Sequence, residues 1–182
     1  NGTLFNSGTG DWGSDAFDNN PLCLGSGECV DSVVVSLPFF HSSTLDESMG
    51  DDWSFQNYPH GADYAYQITL PTQKNLYVDT CDPITDFDTI LSIKDECGNE
   101  VSLTEFDDGT EDFCPEASVD PPYFASIIDS ITLSAGTYYI VVDGYGGVTG
   151  NYKIAIGTLP EIIGSDIASD DSYLDIYFSE GM

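Results

Sequence analysis

From residue 63 onward the chain alternates apolar and polar positions with a period of two. In "ADYAYQITL", Tyr64, Tyr66, Ile68 and Leu70 fall on one face and Ala65, Gln67 and Thr69 on the other, the pattern of a strand with one side buried. The same alternation runs through "NLYVD" (Leu76, Val78), "TILSIK" (Leu91, Ile93) and "EVSLTEF" (Val101, Leu103). "TYYIVVDGYGGVTGNYKIAIG" predicts a further hairpin: a strand apolar on both faces from Tyr138 to Val142, a Gly-rich loop, and a return strand carrying Tyr152, Ile154 and Ile156. Pro71, Pro83, Gly98, Gly109, Pro121, Pro122 and Gly136 punctuate these runs. No segment reads as a helix. Short strands with turn chemistry between them predict an all-β fold, an antiparallel β-sandwich.

The two ends differ from this middle. Residues 1–27 are rich in Gly, Asn, Asp and Ser, with Phe5, Trp12 and Phe17 as their large apolar anchors; they predict an irregular cap or the tail of a preceding module. The sandwich is expected over 28–158. In 159–182, a Pro-containing linker, "TLPE", leads to a strand in which Leu174, Ile176 and Phe178 alternate with Tyr173, Asp175 and Tyr177. That strand would open a following module, pack as an extra strand, or complete a neighbour's sheet by strand exchange.

Charge narrows the class of partner. The 182 residues carry 32 acidic side chains against three lysines and no arginine, a formal net charge of -29. Such a surface repels phosphate backbones and anionic lipid, which argues against nucleic acid and against direct membrane insertion, and it favours cations. With no apolar stretch long enough to span a bilayer and no basic-apolar leader at its start, the sequence predicts a mature or excised soluble piece.

Cysteines stand at 23, 29, 81, 97 and 114. Without C-x-x-C or Cys/His pairing they read as extracellular disulfides. Cys23 and Cys29 are near enough in sequence to close a small loop. The remaining three allow one further bridge, and spacing does not choose it.

Several motifs carry a family resemblance. The strand F-D-T-x-L (Phe87–Leu91), the turn Asp107-Asp108-Gly109, the strand A-G-T-Y-Y-I-V-V (Ala135–Val142) and the segment G-x-x-G-x-Y (Gly147–Tyr152) resemble the bacterial pre-peptidase C-terminal domain. That family is a jelly-roll-like β-sandwich found in secreted proteases, collagenases and large surface proteins. "DSVVVSLPFFHSSTLDE" and "GADYAYQITLP" resemble its opening strands. The closing "SDDSYLDIYFSEGM" resembles the first strand of an immunoglobulin-like surface-protein repeat. The resemblance implies an antiparallel jelly-roll-like sandwich and a disulfide joining Cys81 to Cys114 in preference to Cys97.

The acidic residues have local order. Asp86 and Asp88 precede the strand 89–94, while Asp107 and Asp108 follow its expected antiparallel partner 101–106. In a hairpin the start of the first strand lies beside the end of the second, so the four carboxylates are expected at one sheet edge, with Asp82, Glu111 and Asp112 on the same side and Asp129 within approach. Calcium takes about six to eight oxygens at roughly 2.3–2.6 Å, and such a cluster suits it. Asp residues at strand ends also serve as turn residues, and the two roles are compatible. An EF-hand is excluded, because "DFDTILSIKDE" has apolar residues where ligands and the invariant Gly belong.

Catalytic arrangements are missing from the sequence. There is no G-x-S-x-G, no H-E-x-x-H and no cysteine in a basic setting, and His41 and His60 are expected on the surface or in loops. Clustered exposed aspartates do not single out one carboxyl to stay protonated for glycoside hydrolysis. Tyr145, among the glycines of "DGYGGVTG", is a candidate contact for a sugar ring, although the glycines are also good turn formers. The expectation is a non-catalytic extracellular module of a larger secreted or surface protein, stabilised by calcium and acting in adhesion, assembly or substrate attachment. Its partners would be other modules or subunits of the same assembly, and polysaccharide. The alternatives are a fibre subunit joined by terminal-strand exchange and the carbohydrate-binding appendage of a hydrolase.

Overall fold

A computed structural model describes residues 30–53, 55, 57–58, 61–96, 103–108, 114 and 124–160, and the backbone of 162–167 and 174–178. Among the described residues, nine strands form two facing sheets. In chain order they are β1 (Ser32–Val34), β2 (Phe39–Leu45), β3 (Asp63–Leu70), β4 (Lys74–Asp79), β5 (Thr89–Lys94), β6 (Thr104–Phe106), β7 (Ile127–Leu133), β8 (Gly136–Gly144) and β9 (Gly150–Thr158). One sheet has the order β1-β3-β8-β5-β6 and the other β2-β9-β4-β7. All pairings are antiparallel except the three-residue β1, which runs parallel to β3. This is a β-sandwich.

The period-two pattern decides what lies between the sheets. Tyr66, Ile68 and Leu70 of β3, Leu91 and Ile93 of β5, and Ile140 and Val142 of β8 meet Leu76 and Val78 of β4, Ile128 of β7, and Tyr152, Ile154 and Ile156 of β9 in one core. Each fully buried aliphatic side chain here contributes about 1.5–3 kcal/mol through removal from water. Two hydroxyls cross the middle of this core: Tyr66 on one sheet and Tyr152 on the other hydrogen-bond at 2.8 Å, and His41 Nδ1 lies 2.8 Å from the Tyr66 hydroxyl. His41 is therefore a partly buried strand residue among aromatic rings rather than a surface or loop residue.

Strand β5 is buried on both faces. Its outward Ile90 joins Ala65 and Val141 beneath Trp53 and Phe55, which form a second apolar cluster. Trp53 is thus a core residue. The segment that carries it is pinned at both ends by buried carboxylates, since Asp63 accepts from the backbone N–H groups of Asp52 (2.8 Å) and Trp53 (2.7 Å), and Asp143 accepts from Gly61 (3.0 Å). Asp63 and Asp143 are register partners on β3 and β8.

The hairpin expected around "DGYGGVTG" is not one. Strand β8 pairs with β3 and β5, whereas β9 pairs with β2 and β4, so the loop carries the chain from one sheet to the other. Alternation reveals that each strand has a buried face, but two strands facing one core from opposite sheets show the same alternation as two hydrogen-bonded neighbours. Gly144 makes the tight exit possible, because a Cβ there would stand 1.8 Å from the Val148 carbonyl oxygen.

Beyond the sandwich, β10 (Ile162–Ile167) and β11 (Leu174–Phe178) form a separate antiparallel two-stranded sheet. The linker expected before residue 174 therefore contains a strand, and β11 finds its partner within its own chain. Among the described residues no helix is long and apolar enough to cross a membrane.

Candidate functional site

Among the described residues of the sandwich, β5 and β6 are the one pair of consecutive strands that lie side by side in the same sheet. Their register joins Leu91 to Phe106, Ser92 to Glu105 and Ile93 to Thr104. Continued outward, it sets Asp107 and Asp108 beside Ile90 and Thr89, next to Asp88. Ligand oxygens of Asp88, Asp107 and Asp108 all lie within 4.8 Å of one another.

Of the other carboxylates expected there, the three that are described lie elsewhere. Asp86 is three residues before β5, too far along for the hairpin register to bring it in, and its carboxylate accepts from Asn151 N (2.7 Å) and Asn151 Nδ2 (2.9 Å) at the start of β9. Asp129 is exposed on β7, in the opposite sheet. Asp82 forms an ion pair with Lys153 at 2.6 Å and accepts from the Ile84 N–H. Glu111 and Asp112 lie outside the described residues, as do Cys23, Cys29, Cys97, Trp12 and His60.

The electrostatics of the three clustered groups are unfavourable as they stand. Asp88 Oδ1 and Asp107 Oδ1 are buried and have no hydrogen-bond donor. Burial, followed by the charges of Asp107 and Asp108, pushes the Asp88 carboxyl up to about 7. Burial and then the Asp108 charge push Asp107 up to about 6, and burial raises Asp108 as well. Like charges this close cannot all ionise freely unless a proton or a cation sits among them. The donors are all hard oxygens, a set that suits calcium or magnesium rather than a thiophilic metal.

Two neighbours complete the surroundings. The Asp88 carbonyl accepts the Tyr145 N–H at 3.0 Å, which holds the short 3-10 turn Tyr145–Gly147 beside the cluster with the Tyr145 side chain 41% exposed. The Tyr58 phenol takes a backbone hydrogen bond from Asp107, and its pKa is raised by burial and then by the charges of Asp107, Glu105 and Asp108. Cys81, in the β4–β5 loop, is bonded to Cys114.

Sequence reasoning missed Tyr58 and a knot of buried hydroxyls behind the cluster, formed by Thr80, Thr89 and Ser126. Nothing in the sequence marked them, since Ser and Thr are equally at home on strand surfaces and in turns.

No protein-family model matches the chain, and no curated protein matches it. Among solved structures, the chain is similar to the pre-peptidase C-terminal domain of collagenase from Bacillus anthracis, at 12% sequence identity with a TM-score of 0.46, over 70% of this chain and 95% of that one. That is the domain type which the motifs Phe87–Leu91 and Asp107–Gly109 resemble.

Proposed function

We propose that this chain is a non-catalytic module of a larger secreted or surface protein, acting outside the cell in adhesion, assembly or substrate attachment, and that a calcium ion held by Asp88, Asp107 and Asp108 stiffens its acidic end. The observation that carries this reading is the pair of buried, donor-less carboxylate oxygens inside a three-carboxylate cluster. Buried polar atoms are ordinarily satisfied, and leaving one bare costs about 1–3 kcal/mol or more when it is charged. A divalent ion would supply what both oxygens lack. Calcium fits better than magnesium because three side chains fixed by the fold make an irregular oxygen set, which calcium tolerates and magnesium's stricter octahedron does not. Backbone carbonyls and water would fill the rest of the shell. The Cys81–Cys114 bridge supports an oxidising compartment.

Tyr145 supports polysaccharide as the target of attachment. Its ring is exposed while its backbone is anchored to Asp88, an arrangement suited to stacking on a sugar. Strand exchange has less support, because β11 already pairs with β10.

The test of the calcium reading is a thermal melt in calcium and in chelator, with metal content measured on the purified protein. At calcium one hundredfold above the dissociation constant, linkage adds about 2.7 kcal/mol, roughly 5–10 °C for a domain of this size. An unchanged midpoint together with no bound calcium would sink the reading. A glycan array with wild type and Tyr145→Ala tests the attachment target, where binding indifferent to the substitution rules out Tyr145.

A further inference from the structure

The β5–β6 ladder ends at Leu91 and Phe106, before it reaches the carboxylates. What holds Asp88 and Asp107 together beyond that point comes from the other sheet. Ser126, immediately before β7, donates its hydroxyl to the backbone carbonyls of both Thr89 and Asp107. A hydroxyl has one proton, so this is a three-centre bond drawing two carbonyls toward one point. Thr89 follows Asp88 directly, and Asp107 is itself a member of the cluster.

Ser126 is in turn held rigidly. Its N–H donates to Thr80 Oγ1 (2.9 Å) and Thr89 Oγ1 (3.0 Å), those two hydroxyls bond each other at 2.8 Å, and the Ser126 carbonyl accepts the Thr80 N–H at 3.0 Å. All three residues are fully buried. The next residue after Thr80 is Cys81, whose disulfide to Cys114 ties the same corner covalently.

We propose that Ser126 is the positioning residue of the carboxylate site: by bridging the Thr89 and Asp107 carbonyls it sets the spacing of the Asp88 and Asp107 side chains, and with it the affinity for calcium. This rests on the calcium reading of the cluster. Without the hydroxyl, a buried and a partly buried carbonyl oxygen lose their shared donor and repel, so the corner opens and the ligand oxygens move apart.

The experiment is calorimetric titration of wild type, Ser126→Ala and Ser126→Thr with calcium chloride, alongside melts in chelator. Ser126→Ala is expected to weaken calcium binding by about 10- to 100-fold, the range found when a group supporting a metal ligand is removed, while Ser126→Thr keeps the donor and binds close to wild type. A residue that only supports the fold would lower the midpoint in chelator and leave affinity unchanged. Wild-type affinity in Ser126→Ala therefore overturns the proposal while the calcium reading stands, and a wild type that binds no calcium overturns both. If Ser126→Ala does not fold in chelator, the same titration in trimethylamine N-oxide, which favours the compact state, reads its affinity on folded protein.

Discussion

The carboxylates of Asp88 and Asp107 approach each other at the open end of the β5–β6 hairpin, each with a buried oxygen that meets no donor. Charge at this corner works against the fold unless a proton or a cation sits among the carboxylates. Asp107→Asn should consequently act with opposite signs in two media. In chelator, removing a charge from the cluster raises the melting midpoint. In calcium, losing a ligand lowers it, and most of the calcium-dependent rise disappears. Paired melts check this, and a change of the same sign in both media would exclude cation binding at Asp107. Asp86→Asn serves as the contrast, since Asp86 is engaged with Asn151 and should leave calcium affinity unchanged.

Trp53 closes the outer face of the five-stranded sheet over Ala65, Ile90 and Val141. Trp53→Ala should cost about 3–5 kcal/mol, the range for emptying a large aromatic site. Trp53→Phe should cost clearly less. Urea unfolding measures both, and a Trp53→Ala variant as stable as wild type would mean that this face is not part of the core.

Asp63 is pushed up to about 8, chiefly by burial, with its hydrogen bonds from Trp53 and Asp52 working against the shift and the neighbouring Asp143 charge adding to it. The unfolded chain releases this proton near pH 4. Between about pH 4 and 8 the folded state thus holds a proton that the unfolded state has lost, and this group's contribution to stability falls as pH rises through that window. Asp63→Asn keeps a carbonyl acceptor for the two N–H groups and removes the titration. It should flatten the pH dependence and gain on wild type most at pH 9, as checked by urea midpoints at pH 5, 7 and 9.

Tyr66 is the middle of a hydrogen-bonded chain from His41 to Tyr152 that crosses between the sheets. Burial pushes both phenols well above their usual range, so they remain protonated donors. Tyr66→Phe strips His41 and Tyr152 of their shared partner and should cost about 1–3 kcal/mol. Combined with Tyr152→Phe, the losses should fall short of additivity, because the second change removes a hydroxyl already orphaned by the first.

Much of the fold was legible because burial imposes a period on a strand. The faces of β3, β4 and β8 follow from which positions are apolar, and the β5–β6 pairing follows from two runs flanking a turn. The alternation that β8 and β9 share reads equally as hydrogen-bonded pairing, and β10 carries little signal because "IIGSDI" is short and broken by Gly164. Of the carboxylates, Asp88, Asp107 and Asp108 come together because they flank a local hairpin, whose geometry sequence distance reveals. Asp86 and Asp129 stand apart from the cluster because what holds them, Asn151 and the four-stranded sheet, is remote in sequence.

Local pattern alone is enough for the all-β class, for the inward faces of β3, β4, β5, β8 and β9, and for the concentration of negative charge at the ends of one hairpin; it fails at Leu103, which alternation turns inward and which is 45% exposed. These depend on local periodicity and on neighbours a few residues apart. Which sheet each strand joins, the burial of Trp53, and the bracing of Asp107 against Thr89 by Ser126 from beside the opposite sheet all depend on long-range contacts. Such contacts join residues whose chemistry carries no local signal. Here they arise from two sheets closing over a common core, which brings the Ser126 hydroxyl to a corner that a local hairpin assembles.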